Sequence, residues 1–177
     1  MLPRRVLVLG GARSGKSSLA ERLAEHFQKP RIYIATAQPF DAEMRDRIEK
    51  HQTDRGNSWR TIEAPLELAT AFSQVGEGNV TLLDCATLWL SNQLLAEVDP
   101  DAACEAFVAA TARCPGDLIV VSNEVGQGIV PENALARRFR DAQGRLNQQL
   151  ATASDLVILV AAGLPLVLKG SLPVGFA

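Results

Sequence analysis

The stretch Gly10-Gly11-Ala12-Arg13-Ser14-Gly15-Lys16-Ser17 follows directly on the apolar run Val6-Leu7-Val8-Leu9, and it restricts the fold more than any other feature of the chain. A glycine-rich turn between a short strand and a helix wraps successive backbone N–H groups around phosphate oxygens. In the pattern GxxxxGK[ST], Gly10 and Gly15 let the chain curl without a Cβ in the way. Lys16 is then expected to reach the outer phosphates of a nucleoside triphosphate, and the Ser17 hydroxyl to bind Mg²⁺. The residues after the loop, Ser17 to Phe27, read as a helix whose positive end faces the anion.

A strand–loop–helix unit must be completed by further parallel strands, and the rest of the chain supplies them. Short Val/Ile/Leu-rich runs at Val6 to Leu9, Arg31 to Ala35, Val80 to Asp84, Leu118 to Ser122 and Leu156 to Val160 read as strands buried on both faces. Trp59 to Ile62 reads as a shorter edge strand. Between them, helices are expected over Ser17 to Phe27, Asp41 to about Arg55, Pro65 to Gln74, Thr87 to Glu97, Pro100 to Ala112 and Asn133 to Thr152. The alternation predicts an α/β fold, a mostly parallel sheet with helices on both faces. No repeat or Pro/Gly/Ser-rich linker divides the 177 residues, so one domain, 1–177, is expected.

Charge and cysteine usage narrow the partners. A net charge of -2 offers no basic field for nucleic acid, so small-molecule partners are expected. Cys85, Cys104 and Cys114 are odd in number and lack CxxC spacing, which argues against a disulfide framework or a zinc site and for reduced thiols. The basic start Met1-Leu2-Pro3-Arg4-Arg5 precedes too short an apolar run for a signal peptide. The run Leu156 to Leu168 is too short for a membrane span and is interrupted by Gly163 and Pro165. A soluble, cytoplasmic protein follows from these readings.

In an open α/β sheet ligands gather at the carboxyl ends of the strands. Val80-Thr81-Leu82-Leu83-Asp84 ends in a carboxylate, so Asp84 is the candidate second holder of the Mg²⁺. The NKxD motif of regulatory GTPases is absent, and Asn123-Glu124-Val125-Gly126 does not replace it. His51 lies in a charged segment in which Arg47, His51 and Arg55 share one face if it is helical. Such a face attracts phosphate, and two guanidiniums keep a neutral imidazole available for attack on phosphorus. The same histidine also reads as a solvated surface residue, while His26 is the tail of the first helix. The residues by themselves therefore admit a kinase of some other small hydroxyl substrate, or a nucleotide-binding module without chemistry.

Taken together, GGARSGKS, YIATA (33–37), RIxxHxxxR (47–55), WRTIEAP (59–65), LLDCATLWLSN (82–92), VSNEVGQGIVP (121–131), GRLNQQLA (144–151) and AGLPLVLKG (162–170) resemble one family almost end to end. It is the bifunctional adenosylcobinamide kinase/adenosylcobinamide-phosphate guanylyltransferase family of cobalamin biosynthesis. Leu9 and Ala86 differ from its usual pattern, and neither carries a chemical group. The resemblance implies a P-loop NTPase of RecA-like fold, assembled as a homotrimer. It also implies two reactions: a kinase step from ATP or GTP to the aminopropanol hydroxyl of adenosylcobinamide, then transfer of GMP from GTP through a covalent intermediate on His51, releasing pyrophosphate. Nucleotide contacts are implied at the loop Gly10, Gly11, Ala12, Arg13, Ser14, Gly15, Lys16 and Ser17, at Ile34, Ala35, Thr36, Gln52, Thr53, Asp54 and Arg55, and at Glu63 and Asp84. Glu124 is a candidate base or metal ligand. Gly126 and Gly128 are candidates for close backbone approach, and Arg137, Arg138 and Arg140 for a neighbouring subunit's phosphate.

Overall fold

Strand β1 (Arg5–Gly10) is buried from Val6 to Gly10 without alternation, as a strand covered on both faces must be. The computed structural model describes residues 2–38 and 58–176. Within them β1 is followed by α1 (Lys16–His26), β2 (Arg31–Ala35), β3 (Trp59–Glu63), α2 (Leu68–Phe72), β4 (Val80–Asp84) and α3 (Ala86–Leu95). Then come α4 (Pro100–Ala112), β5 (Asp117–Asn123), α5 (Ala134–Ala153), β6 (Leu156–Ala161) and β7 (Leu164–Lys169). The strands make one sheet in the order β3-β2-β4-β5-β1-β6-β7. Every neighbouring pair is parallel except β6 with β7.

The two-residue period of a strand divides the core in two. Leu7, Ile32, Ile34, Leu83, Leu118, Val120 and Val157 join Phe72 of α2, Trp89 and Leu90 of α3, Phe107 of α4 and Leu146 and Leu150 of α5. Val6, Val8, Leu82, Ile119, Val121, Leu156 and Ile158 point the other way, onto Leu19, Ala20, Leu23 and Ala24 of α1. Helix ends are held by side chains where the loops allow it. The Asp99 carboxylate accepts from the N–H groups of Asp101 and Ala102 ahead of Pro100, and Asn133 Oδ1 accepts from those of Leu135 and Ala136.

Parallel register then fixes what lies at the carboxyl edge. Glu63, Ala35, Asp84, Val121, Val8 and Ile158 form one row across the sheet. Gly10, Asn123 and Val160 stand two residues further along their own strands. That is about 7 Å beyond the row at the rise of a strand residue.

Most expected elements are present within a residue or two, and Trp59–Glu63 is an edge strand as its short run suggests. The helix expected over Pro65 to Gln74 shrinks to Leu68–Phe72. The helix expected over Asp41 to about Arg55 lies outside the described residues. Beyond the expected strand Leu156 to Val160, the run to Leu168 adds a second strand, so the two form a hairpin. Ala162 (φ 51) and Gly163 (φ 79) form its two-residue turn, the left-handed pair that tight antiparallel connections require. Pro165 is tolerated because β7 is the outer strand.

Candidate active site

Gly10 ends β1, and the loop that follows is packed too tightly for any side chain there. A Cβ on Gly10 would lie 2.8 Å from the Val160 carbonyl oxygen and overlap Ser14 Oγ. Gly15 turns the chain into α1 with φ +94, a conformation natural to glycine. No side chain caps α1, and no acidic residue sits in its first turn, so its initial N–H groups are turned toward whatever the loop encloses. The Ser14 hydroxyl is buried without a hydrogen-bond partner, a donor that suits a phosphate oxygen inside the loop. Lys16 Nζ donates to the Gly11 carbonyl at 3.1 Å, which draws the ammonium across the mouth of the loop.

Behind the loop, the β6–β7 turn acts as a backstop. The Gly163 N–H donates to the Ser14 carbonyl at 2.8 Å. Gly163 Cα lies 3.3 Å from where a Cβ on Gly15 would stand, so the two glycines permit each other's approach. Nothing in the sequence reading pointed to Gly163 as part of the loop's support; only the hairpin brings it there.

Asp84, half-buried at the end of β4, faces the loop across β5. Cys85 reports the arrangement. Burial first, then the negative charge of Asp84, pushes its thiol up to about 12, while the Leu88 N–H and the Lys16 ammonium pull the other way. Lys16 and Asp84 thus act in opposite senses on one sulfur. Burial likewise raises the thiols of Cys104 and Cys114, and the three cysteines are unpaired.

Thr36 is fully buried, and its hydroxyl is committed to the chain: it donates to the Cys85 carbonyl and accepts from the Cys85 N–H, each at 2.8 Å. Its N–H donates to the Asp84 carbonyl at 3.3 Å, and Asn92 Nδ2 donates to its carbonyl at 2.8 Å. Thr36 therefore holds the Asp84–Cys85 turn in place. The Ile34 side chain lies wholly in the core, so β2 offers the site only its open end, from Ala35 onward. Glu63 is exposed at the end of β3, in register with Ala35. His51, Gln52, Thr53, Asp54 and Arg55 lie outside the described residues, as does Arg47.

At the end of β5 the Glu124 N–H donates to the Gly10 carbonyl at 3.1 Å, and the Glu124 carboxylate accepts from the Gly126 N–H at 2.9 Å. Glu124 thus closes a local turn. Arg137 donates to the carbonyls of Pro131 and Glu132, and Arg140 pairs with Asp141, while Arg138 is exposed. Among the described residues no group of three or more His, Cys, Asp or Glu side chains gathers to hold a metal. Mg²⁺ keeps most of its shell as water and phosphate oxygens and needs only one or two protein oxygens, which Ser17 and Asp84 could supply.

Similarity to known proteins agrees with this geometry. Over 170 residues the chain is 49% identical to the bifunctional adenosylcobalamin biosynthesis protein CobP of Pseudomonas aeruginosa, covering 94% of this chain and 98% of that protein. It is 42% identical over 180 residues to the bifunctional adenosylcobalamin biosynthesis protein CobU of Escherichia coli K12, covering 93% and 99%. Among solved structures, a Pyrococcus horikoshii OT3 protein superposes with a TM-score of 0.56 at 9% identity, covering 94% of this chain and 86% of that one. A type III secretion ATPase superposes with a TM-score of 0.53 at 14% identity, covering 88% and 50%. At such identities they speak for the fold, that of RecA-like P-loop NTPases. Residues 6–168 match the family described as cobinamide kinase / cobinamide phosphate guanyltransferase, and the chain belongs to that family.

Proposed function

We propose that one triphosphate site in this chain serves both reactions of its family, with the residues around Gly10–Ser17 and Asp84 as its machinery. The observation that carries the proposal is the loop itself, where Gly10 leaves no room for a side chain, α1 begins uncapped and the Ser14 hydroxyl is buried without a partner, with Asp84 at the same carboxyl edge two strands away. In the kinase step the loop N–H groups and Lys16 hold the β- and γ-phosphates of ATP or GTP against the aminopropanol hydroxyl of adenosylcobinamide. Mg²⁺, when held by Ser17 and Asp84, supplies charge neutralisation of the outer phosphates.

In the second reaction a histidine attacks the α-phosphorus of GTP, pyrophosphate leaves, and the bound GMP passes to the cobinamide phosphate. His51 is our candidate. Splitting the displacement lets a neutral nitrogen approach the triphosphate first, so that two anions need not collide directly. Arg47 and Arg55 are proposed to shield both encounters, with Gln52, Thr53, Asp54, Ile34, Ala35, Thr36 and Glu63 lining the nucleotide. For Ile34 and Thr36 the contact would run through the main chain, since their side chains are engaged in the core and with Cys85.

We further infer a homotrimer of one-domain subunits. Leu164, Leu166 and Leu168 are exposed at 72%, 57% and 55% on the outer strand, an apolar edge suited to a second copy. Unpaired buried thiols suit a reducing, cytoplasmic setting, and among the described residues no helix is long and apolar enough to cross a membrane.

The test is incubation with GTP labelled at the α-phosphate. Label should remain on the protein, stable to alkali and labile to acid, and His51→Ala should abolish it. Equal labelling of His51→Ala would move the covalent site elsewhere, and an unlabelled wild type would leave only the kinase. Lys16→Ala should lose cobinamide phosphorylation; full turnover in that variant would refute the loop assignment.

A further inference from the structure

Strand β5 runs between β4, which ends in Asp84, and β1, which ends at the phosphate loop. Its last residue, Asn123, is in register with Gly10 and two residues beyond the level of Asp84. The sheet therefore centres this carboxamide between the two halves of the site, at the height of the loop. Its main chain is immobilised on both sides. The N–H donates to Thr87 Oγ1 at 2.8 Å, and the carbonyl accepts from Asn147 Nδ2 at 3.1 Å. Asn147 in turn belongs to a buried cluster in which Ser122 Oγ donates to its Oδ1 at 2.7 Å and Gln143 Nε2 reaches both, at 2.9 and 3.0 Å. Gln143 and Asn147 are one turn apart on α5, so a whole helix braces the end of β5.

Against that rigid support the Asn123 Oδ1 is unsatisfied. The residue is half-exposed, yet its Oδ1 is closed to water and has no hydrogen-bond partner. A shielded acceptor without a donor is destabilising, and it selects among the reactants by chemistry. At the γ end of a triphosphate every oxygen is itself an acceptor. The alcohol that attacks it brings a donor. Glu124, the neighbouring alternative, has its Oε1 tied to the Gly126 N–H in a local turn.

We propose that Asn123 is a catalytic residue of the kinase step: its half-exposed carboxamide turns about χ2 to present Oδ1 to the site, where it accepts the hydrogen bond of the substrate hydroxyl so that the oxygen's lone pair is aimed at the γ-phosphorus. The inference rests on the kinase reading above. The alcohol oxygen forms its bond to the γ-phosphorus as the bond from that phosphorus to the β,γ-bridging oxygen breaks. The nucleoside diphosphate leaves, and the hydroxyl proton passes to water, since a carboxamide orients a nucleophile without taking its proton. Carboxamides have this orienting role toward attacking water in other phosphate-loop enzymes.

The experiment measures phosphoryl transfer from GTP to adenosylcobinamide by rapid quench with the full-length protein, together with GTP affinity and the Mg²⁺ dependence. Asn123→Ala should lower kcat by about 100-fold, within the range for a group assisting proton transfer or orientation, with the KM for GTP changed less than about threefold. Asn123→Asp, which restores an acceptor, should recover at least about tenfold of that loss and add a pH-dependent limb to kcat. A kcat in Asn123→Ala within threefold of wild type overturns the inference. So does a parallel loss of GTP affinity, which would mark a structural role, or a raised Mg²⁺ requirement, which would assign the acceptor to a metal-bound water. A wild type inert toward the alcohol would instead overturn the kinase reading itself.

Discussion

Replacing Gly10 with alanine tests whether the loop's geometry, and not merely its sequence, makes the nucleotide site. The added Cβ would stand 2.8 Å from the Val160 carbonyl oxygen, which is fixed in the ladder between β1 and β6, and would overlap Ser14 Oγ in the loop itself. Since the strand cannot retreat, the loop must. Overpacking of this size costs about 1–3 kcal/mol of stability, and the displaced Ser14 drags with it the N–H groups meant for phosphate. Gly116→Ala makes the matched comparison: its Cβ would stand 2.5 Å from the Asn79 carbonyl oxygen and 2.8 Å from that of Gly76, just before β5 and at the opposite end of the sheet. Urea unfolding with and without GTP and Mg²⁺ separates the effects. At a ligand concentration 100 times Kd, binding adds about 2.7 kcal/mol. Wild type and Gly116→Ala should both show that gain, whatever the loss in the unliganded protein. If Gly10→Ala weakens affinity 100-fold, its gain falls to about 0.4 kcal/mol by the same relation. A Gly10→Ala protein that is destabilised but keeps the full nucleotide gain would refute the reasoning.

Two further outcomes follow from packing and titration. Gly144 lies inside α5, and a Cβ there would meet nothing within 4 Å, so Gly144→Ala should raise stability by about 0.5–1 kcal/mol in urea melts; a loss would mean the position is used by a contact absent from this chain alone. The Cys85 thiol is raised from 9.0 to about 12, so both folded and unfolded chains keep it neutral below pH 9. Above that pH only the unfolded chain ionises, and stability should fall by about 1.4 kcal/mol per pH unit from this group. Cys85→Ala should flatten the decline between pH 9 and 10.5, and an unchanged slope would exclude Cys85 as its source.

The central strands and the loop were readable in the residues because both depend on local chemistry. A strand buried on both faces must be apolar throughout, as Val6 to Leu9 and Leu118 to Val121 are, and a turn that encloses phosphate needs glycine where Gly10 and Gly15 stand. The second hairpin strand was hidden because Gly163 and Pro165 are breaking signals in most settings. Here one makes a left-handed turn, and the other sits on an outer strand with no neighbour to demand its missing N–H.

Chain chemistry by itself thus decided that there is a phosphate loop, a carboxylate at the end of a strand and a parallel sheet to carry them. Which residues meet is another matter, because the order β4-β5-β1 is set by how helices cover both faces of the sheet, not by any neighbouring residues in the chain. That order puts Asn123 between the strands that end in Gly10 and Asp84, brings Gly163 against Gly15, and commits the Thr36 side chain to bracing Cys85. Contacts across more than a hundred residues, such as Gly163 to Ser14, have no local signature; only the packed sheet creates them.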